Sequence, residues 1–362
     1  MRKLLIYTAM IAFAACSKDN GPAADDHFMN YEIPEVPVTQ DYVVGAFYYD
    51  IPNFNANVKE VPVAGKYNMV NGVIPPAVIT KHLEYAQKAG LDYFLFSFRS
   101  ANRDNNGWKR DSAMLKSYLD NAGGSPVNFA LTYNLNTGSY GINATTPLEK
   151  DAVKLEQFFM DFERVAYLLN NPRYMQVDGK KLLYITNAHN LFSNDNKAIY
   201  TTLRQRMKTL GFDLYLVGMQ DRWTPPARYF FRYKECVDAV YHQNMRPDGF
   251  DRFYLLPQFI DQNWKYSKKY YADNWNVDYV ANVFPAYSWL INTPTSLNPN
   301  VDRKDGGALY RQMCNVAKMN ASEKTRLILI DSFNKWDEDL QIEPAASYGE
   351  LYLDITRKQF SK

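Results

Sequence analysis

Val43-Val44-Gly45-Ala46-Phe47-Tyr48-Tyr49-Asp50-Ile51-Pro52 reads as an apolar strand that runs straight into a polar loop. The run predicts a β-strand over residues 43–49, followed by an amphipathic helix over 78–89 that Gly90 ends. The loop between them decides the fold. A doubly wound open sheet would carry a glycine-rich phosphate loop after its first strand, and Phe47–Pro52 contains no glycine. A closed (β/α)8 barrel is the architecture left for strands that alternate with helices.

The same alternation repeats outward from this stretch. Strands are predicted at 92–98, 127–133, 181–186, 213–218, 237–241, 279–285 and 326–330. The helices between and after them fall near 111–121, 149–169, 197–210, 226–235, 257–271, 305–319 and 348–360. Their strands are continuous apolar runs, as parallel strands covered on both faces require. The fold class is therefore α/β, a single TIM barrel over residues 42–362.

Residues 1–15 have the basic start, short apolar core and small residues of a secretory leader, and the run is too short to span a membrane. Phe13-Ala14-Ala15-Cys16 places a cysteine where a bacterial lipobox has one. Cys16 is accordingly the expected lipid-bearing residue of an outer-membrane lipoprotein of the cell envelope. Residues 16–41 are polar and read as a disordered tether. A formal charge of +2 gives no electrostatic case for nucleic acid or for an anionic membrane surface. Membrane contact is expected through the anchor alone, and a monomer is expected. Cys236 and Cys314 read as buried free thiols. His82, His189 and His242 fall on different elements without zinc spacing, so neither a metal nor a cofactor is expected. No Gly-x-Ser-x-Gly elbow occurs.

Barrel enzymes build their sites at the C-terminal strand ends. Those ends here supply Tyr48, Tyr49 and Asp50, then Arg99, then Tyr133 and Asn134, then Asn187 and His189. Further along come Gln220, Asp221, Arg222 and Trp223, then His242, Gln243 and Asn244, then Tyr287 and Trp289. Amides, arginines and histidines bridge neighbouring hydroxyls, and Tyr and Trp stack on apolar sugar faces. The pattern points to a poly- or oligosaccharide ligand.

The last strand leads into Ser332-Phe333-Asn334-Lys335-Trp336-Asp337-Glu338-Asp339-Leu340-Gln341-Ile342-Glu343-Pro344. This stretch resembles the signature Asn-Glu-Trp-x-Glu-Gly-x-x-Ile-Glu-Pro of glycoside hydrolase family 99 and the related WbsX-like group. Val44–Tyr49, Asp92–Phe98 and Pro172–Leu182 resemble further segments of that family in the same order. The resemblance implies a barrel acting on α-linked, mannoside-type glycans with retention, using Glu338 as general acid/base. It also implies ligand contacts from Asn334, Trp336 and Glu343. The family's other glutamate, which takes a proton from the sugar's 2-hydroxyl, is matched by Lys335.

A protonated lysine cannot accept a proton, and Asp337, Glu338 and Asp339 beside it oppose its neutral form. Lys335 is therefore expected to pair with Glu338. Glycosidic cleavage uses two carboxyl groups, so Asp50, Asp221 or Asp337 is the expected second one. Asp339 stands where the family has glycine, which predicts a changed loop. Three functions follow from these residues: a glycoside hydrolase, a surface glycan-binding protein on the same barrel, and a glycosyltransferase.

Overall fold

The computed structural model describes residues 29–50, 53–58, 60–70, 73–246, 255–296, 300–303 and 305–362. The leader and Cys16 lie outside them. The chain begins its alternation with β1 (Val43–Tyr48), α1 (Pro76–Ala89), β2 (Tyr93–Phe98) and α2 (Asn105–Asn121). Next come β3 (Asn128–Asn134), a short α3 (Thr137–Tyr140) and α4 (Ala152–Leu169). A small β4 (Gln176–Val177) turns into β5 (Lys180–Thr186), followed by α5 (Asn196–Thr209), β6 (Leu214–Gln220) and α6 (Phe230–Tyr233). The ring is completed by β7 (Ala239–His242), α7 (Leu256–Trp275), β8 (Asp278–Tyr279), β9 (Ala281–Val283), α8 (Ala308–Asn320), β10 (Leu327–Ile330) and α9 (Leu351–Phe360).

Strand order is β8-β7-β6-β5-β3-β2-β1-β10-β9, and every pair along that path is parallel. β8 and β9 are consecutive pieces of one strand around Val280, whose N–H donates to Val240 O at 2.9 Å. The sheet thus closes on itself into a TIM-like barrel. Off that path, β4 runs antiparallel against β5.

Local chemistry sets the helix ends. Pro76 starts α1, where its missing N–H costs nothing, and Gly90 ends it at φ 72°, a left-handed value that glycine tolerates. Asp104, Asp151 and Asp195 cap α2, α4 and α5 by accepting from first-turn N–H groups. The Asp104 cap makes α2 begin at Asn105, ahead of the sequence expectation. α6 is shorter than expected, because its first turn is a 3-10 turn and Glu235, just past its end, takes φ 61°.

Two apolar layers follow from the period-2 alternation of the strands. Phe47, Tyr93, Leu95, Ala130, Leu182, Tyr184, Val217, Met219, Tyr241, Leu327 and Leu329 pack together with no helix residue among them, so they fill the barrel interior. Val44, Ala46, Tyr48, Phe94, Phe96, Phe98, Leu131, Tyr133, Val240, Ile328 and Ile330 pack with helix residues in the outer layer. Tyr93 and Tyr184 join hydroxyls inside the barrel at 2.8 Å. A Cβ on Gly45 would lie 2.1 Å from the Tyr93 ring, so only glycine fits there.

Residues 29–41, expected as tether, instead lie against α7 and α8. Tyr31 donates to Asp261 at 2.7 Å, and the Val36 N–H donates to Asn315 at 2.9 Å. Specific polar contacts hold this segment despite its low hydrophobicity. Cys236 and Cys314 are free and buried. Among the described residues no helix is long and apolar enough to cross a membrane.

Candidate active site

Continuing the inward parity to the strand ends gives Tyr49, Ser97, Asn134, Thr186, Gln243, Asn282 and Asp331. With Phe47, Met219 and Tyr241 they line a pocket of about 110 Å³ in the barrel mouth. Its acid is Asp331, one residue past β10 and in phase with inward Leu327 and Leu329. Asn244 Nδ2 donates to Asp331 Oδ2 at 3.1 Å, and Tyr49 OH donates to Oδ1 at 3.5 Å. Burial, and then the charge of Glu338, push the Asp331 carboxyl from 3.8 up to about 6. Lys335, Arg246 and the Tyr49 hydrogen bond act in the opposite direction. The buried Asn244 Oδ1 and Asn282 Oδ1 find no partner among the described residues. Buried acceptors normally have donors, so Asn282 Oδ1, from a residue that lines the pocket, is suited to a hydroxyl group of a ligand.

The loop after Asp331 forms the rim. Lys335 Nζ lies 3.6 Å from Asp337 Oδ1, 3.7 Å from Glu338 Oε2 and 4.8 Å from the centroid of the Tyr49 ring. Asp337 is also held by Asn53 Nδ2 at 3.0 Å, and Asn292 Nδ2 donates to its backbone oxygen at 2.9 Å. Residues Trp336–Glu338 make one 3-10 turn, and Asp339 ends it at φ 56°. That left-handed value suits glycine, and Asp is among the few other residues that take it. Asp339 thus adopts the conformation open to the family's glycine. Arg303 locks it, donating through Nε to Oδ1 at 2.7 Å and through Nη2 to the carbonyls of Asp339 and Gln341, each at 2.6 Å.

On the underside of the loop lies a second carboxylate centre. Glu343, fully buried, accepts from Trp336 Nε1 at 2.8 Å and Tyr67 OH at 3.0 Å, and pairs with His82 Nε2 at 2.9 Å. His82 Nδ1 lies 2.8 Å from Tyr48 OH. Asn334 accepts from Tyr49 N at 2.8 Å and donates to Tyr49 O at 3.1 Å, clamping the loop to the end of β1.

The sequence model of a family described as Glycosyltransferase WbsX matches residues 140–356, more than half of the chain. The chain belongs to the WbsX family. A solved glycoside hydrolase-like protein is 31% identical, with a TM-score of 0.83 over 93% of this chain and 99% of that one. The GH99 endo-α-mannosidase from Bacteroides thetaiotaomicron is similar in fold, at 17% identity and TM-score 0.63 over 90% of this chain and 100% of its own. A GH113 β-1,4-mannanase shares the fold at 8% identity and TM-score 0.55, over 89% of this chain and 100% of that one. No curated protein sequence matches the chain.

In this WbsX-family barrel the nominated residues separate by direction. Tyr49, Asn134 and Gln243 line the mouth with Asp331, and Asn244 holds it. Glu338 and Lys335 lie on the rim. The side chains of Tyr48, Tyr133, Gln220 and His242 point outward into the barrel–helix layer, because they fall on the other strand parity, although Tyr48 also borders the mouth pocket. Tyr133 OH donates to Asp161 at 2.9 Å, and Gln220 accepts from Tyr233 OH at 3.2 Å. His242 is bonded to Tyr279 OH at 2.8 Å, and burial lowers it to about 3, keeping it neutral. Trp336 and Glu343, expected as ligand contacts, are hydrogen-bonded to each other beneath the loop, and Asn334 is engaged in the β1 clamp.

The expected second carboxylates are engaged elsewhere. Asp50 is paired with Arg110 Nε at 2.5 Å and faces Arg99, which also approaches Asp111 at 3.3 Å. Asp221 closes its own turn by accepting from Arg222 N at 3.0 Å and Thr224 Oγ1 at 3.3 Å. Arg222 Nε donates to Asn244 O at 3.2 Å and Trp223 Nε1 to Arg246 O at 3.1 Å, so both tie neighbouring rim loops together. The Arg246 guanidinium lies 4.2 Å from the Tyr287 ring centroid and 5.4 Å from that of half-buried Trp289. Asn187, at φ 61°, donates to Leu135 O at 3.4 Å, and His189 is buried beside Met219 O at 3.4 Å, with burial lowering its pKa. Among the described residues no cluster of three His, Cys, Asp or Glu side chains is placed to hold a metal.

Asp331, Ser97, Thr186 and Asn282 were not singled out by sequence. Counting in twos from the interior apolar residues of each strand would have found all four.

Proposed function

We propose that this WbsX-family protein is a glycoside hydrolase that cleaves α-linked, mannoside-type glycans in its barrel mouth, with Glu338 as the proton-donating carboxyl. The observation that carries the reading is the mouth itself. A buried carboxyl and an unpaired amide oxygen line the pocket at the C-terminal ends of the strands, where barrel enzymes do their chemistry, and the charge of Glu338 on the rim acts on that carboxyl. Such acceptors suit a polyhydroxylated ligand, and the family resemblance supplies the α-mannoside class. Incubation with α-mannans and related α-linked oligosaccharides should release new reducing ends. Glu338→Gln should slow this by about 100-fold or more, and unchanged turnover would remove Glu338 from the reaction.

A second reading is favoured by the 3.7 Å contact of Lys335 with Glu338, which holds a cation against the expected acid. In that reading the mouth binds glycans without cleaving them. Measurable glycan binding with no turnover on any substrate would establish it. The family's printed name supports transfer as a third outcome, read by consumption of a nucleotide sugar. The leader and Cys16 make the protein a lipid-anchored envelope protein in this proposal. Loss of palmitate labelling in Cys16→Ser would support the anchor.

A further inference from the structure

Lys335 leaves the reaction short of a proton acceptor, and the mouth contains one that differs from every other acid around it. Asp50 and Asp339 are paired with arginines at 2.5 and 2.7 Å, and Asp337 and Glu338 face Lys335 at 3.6 and 3.7 Å. Asp331 is instead held by two neutral donors, the Asn244 amide and the Tyr49 hydroxyl. Neutral donors fix the orientation of a carboxylate without consuming its charge. Asp331 also lines the pocket rather than the loop's interior, beside the unpaired Asn282 Oδ1.

We infer that Asp331 is the second reacting carboxylate, the base that activates water, with Glu338 as the acid on the rim. This rests on the hydrolase reading above. In the step, Glu338 gives its proton to the glycosidic oxygen as the C1–O bond breaks and the leaving sugar keeps the electron pair. A water oxygen closes on C1 from the opposite face and releases its proton to Asp331. Two sugars with free hydroxyls leave, and the proton returns from Asp331 to Glu338 through solvent. Lys335 stands where the base on the sugar's own hydroxyl would be, so the route through the sugar lacks its acceptor there. Direct attack by water inverts C1.

The environment of Asp331 suits a base working near neutral pH. The groups acting on it are Glu338 and Lys335 from the rim loop, Arg246 from the segment after β7, and Tyr49 from the end of β1. Burial and the charge of Glu338 outweigh the rest and raise its proton affinity to about 6. In the reacting state Glu338 holds its proton, so its part of that rise is absent and Asp331 ionises more readily.

The test compares wild type, Asp331→Asn and Asp331→Ala on a natural glycan and on aryl glycosides with an activated leaving group. Asp331→Asn should lose about 100-fold or more on both substrates, because an easy leaving group does not replace a base. Azide should restore turnover in Asp331→Ala and give a glycosyl azide, since azide attacks C1 with no proton to remove. Glu338→Gln should recover on the activated substrate alone. NMR should show the inverted anomer first. Retained configuration, full activity in Asp331→Asn, or recovery of Asp331→Asn on the activated substrate would each overturn the assignment. A wild type inactive on every substrate would remove the hydrolase reading and this inference together. An active wild type with an unimpaired Asp331→Asn would remove only the inference.

Discussion

Two buried carboxylates sit on either side of one loop, and they have different jobs. Glu343, beneath it, is saturated by Trp336, Tyr67 and His82. Asp331, in the mouth, has two neutral donors and two unpaired amide oxygens nearby. Both are nearly inaccessible, so burial alone does not mark a reactive group. What separates them is whether the protein has already satisfied the carboxylate. A saturated one braces the fold, and an incompletely satisfied one facing a cavity is available to a ligand.

Truncation of the braced side should have the largest effect on stability. Glu343→Ala strips the partner from His82 and two further buried donors, and should cost about 3–5 kcal/mol in urea unfolding. A loss below about 1 kcal/mol would break the contrast. The mouth should respond with the opposite sign. Moving the Asp331 carboxyl from 3.8 to about 6 means the native form holds its proton more tightly than the unfolded chain. Its contribution is fully present below about pH 4 and is lost as pH rises through about 6, at a cost of roughly 3 kcal/mol. Asp331→Asn should therefore be more stable than wild type at pH 7 by up to about 3 kcal/mol, with no difference below pH 4. Thermal melts at both pH values would show this, and a destabilised variant at pH 7 would contradict it. The smallest effect should come from the clamp that joins the two sides. Asn334→Ala removes both hydrogen bonds to Tyr49 and should cost about 1–3 kcal/mol. It should also lower turnover more than stability alone explains, since Tyr49 contributes to the mouth.

The barrel was legible because strand and helix signals are local. Gly90, the apolar runs and the absence of a phosphate loop after β1 all act within a few residues. The site was legible only as far as its strand ends. Tyr48 and Tyr49 are equally polar-tipped aromatics, yet one faces a helix and the other the mouth, and parity alone separates them. Asp331 was passed over, although it ends an apolar strand in step with Leu327 and Leu329. The role of Glu343 was not visible, because its partner His82 is 261 positions away and comes close only through tertiary packing. Asn334 and Tyr49 are 285 positions apart for the same reason.

The position of β10 between β1 and β9 bears on the timing of synthesis. Until this strand, the last to emerge, docks in the gap, the ring is open and both flanking edges lack partners. The same strand delivers Asp331 and the loop carrying Lys335, Glu338 and Glu343. A nascent chain that lacks this strand therefore lacks the completed mouth. Closure of the ring and assembly of the mouth are a single late event, and a chain cut short before residue 331 would be both unfinished and inert.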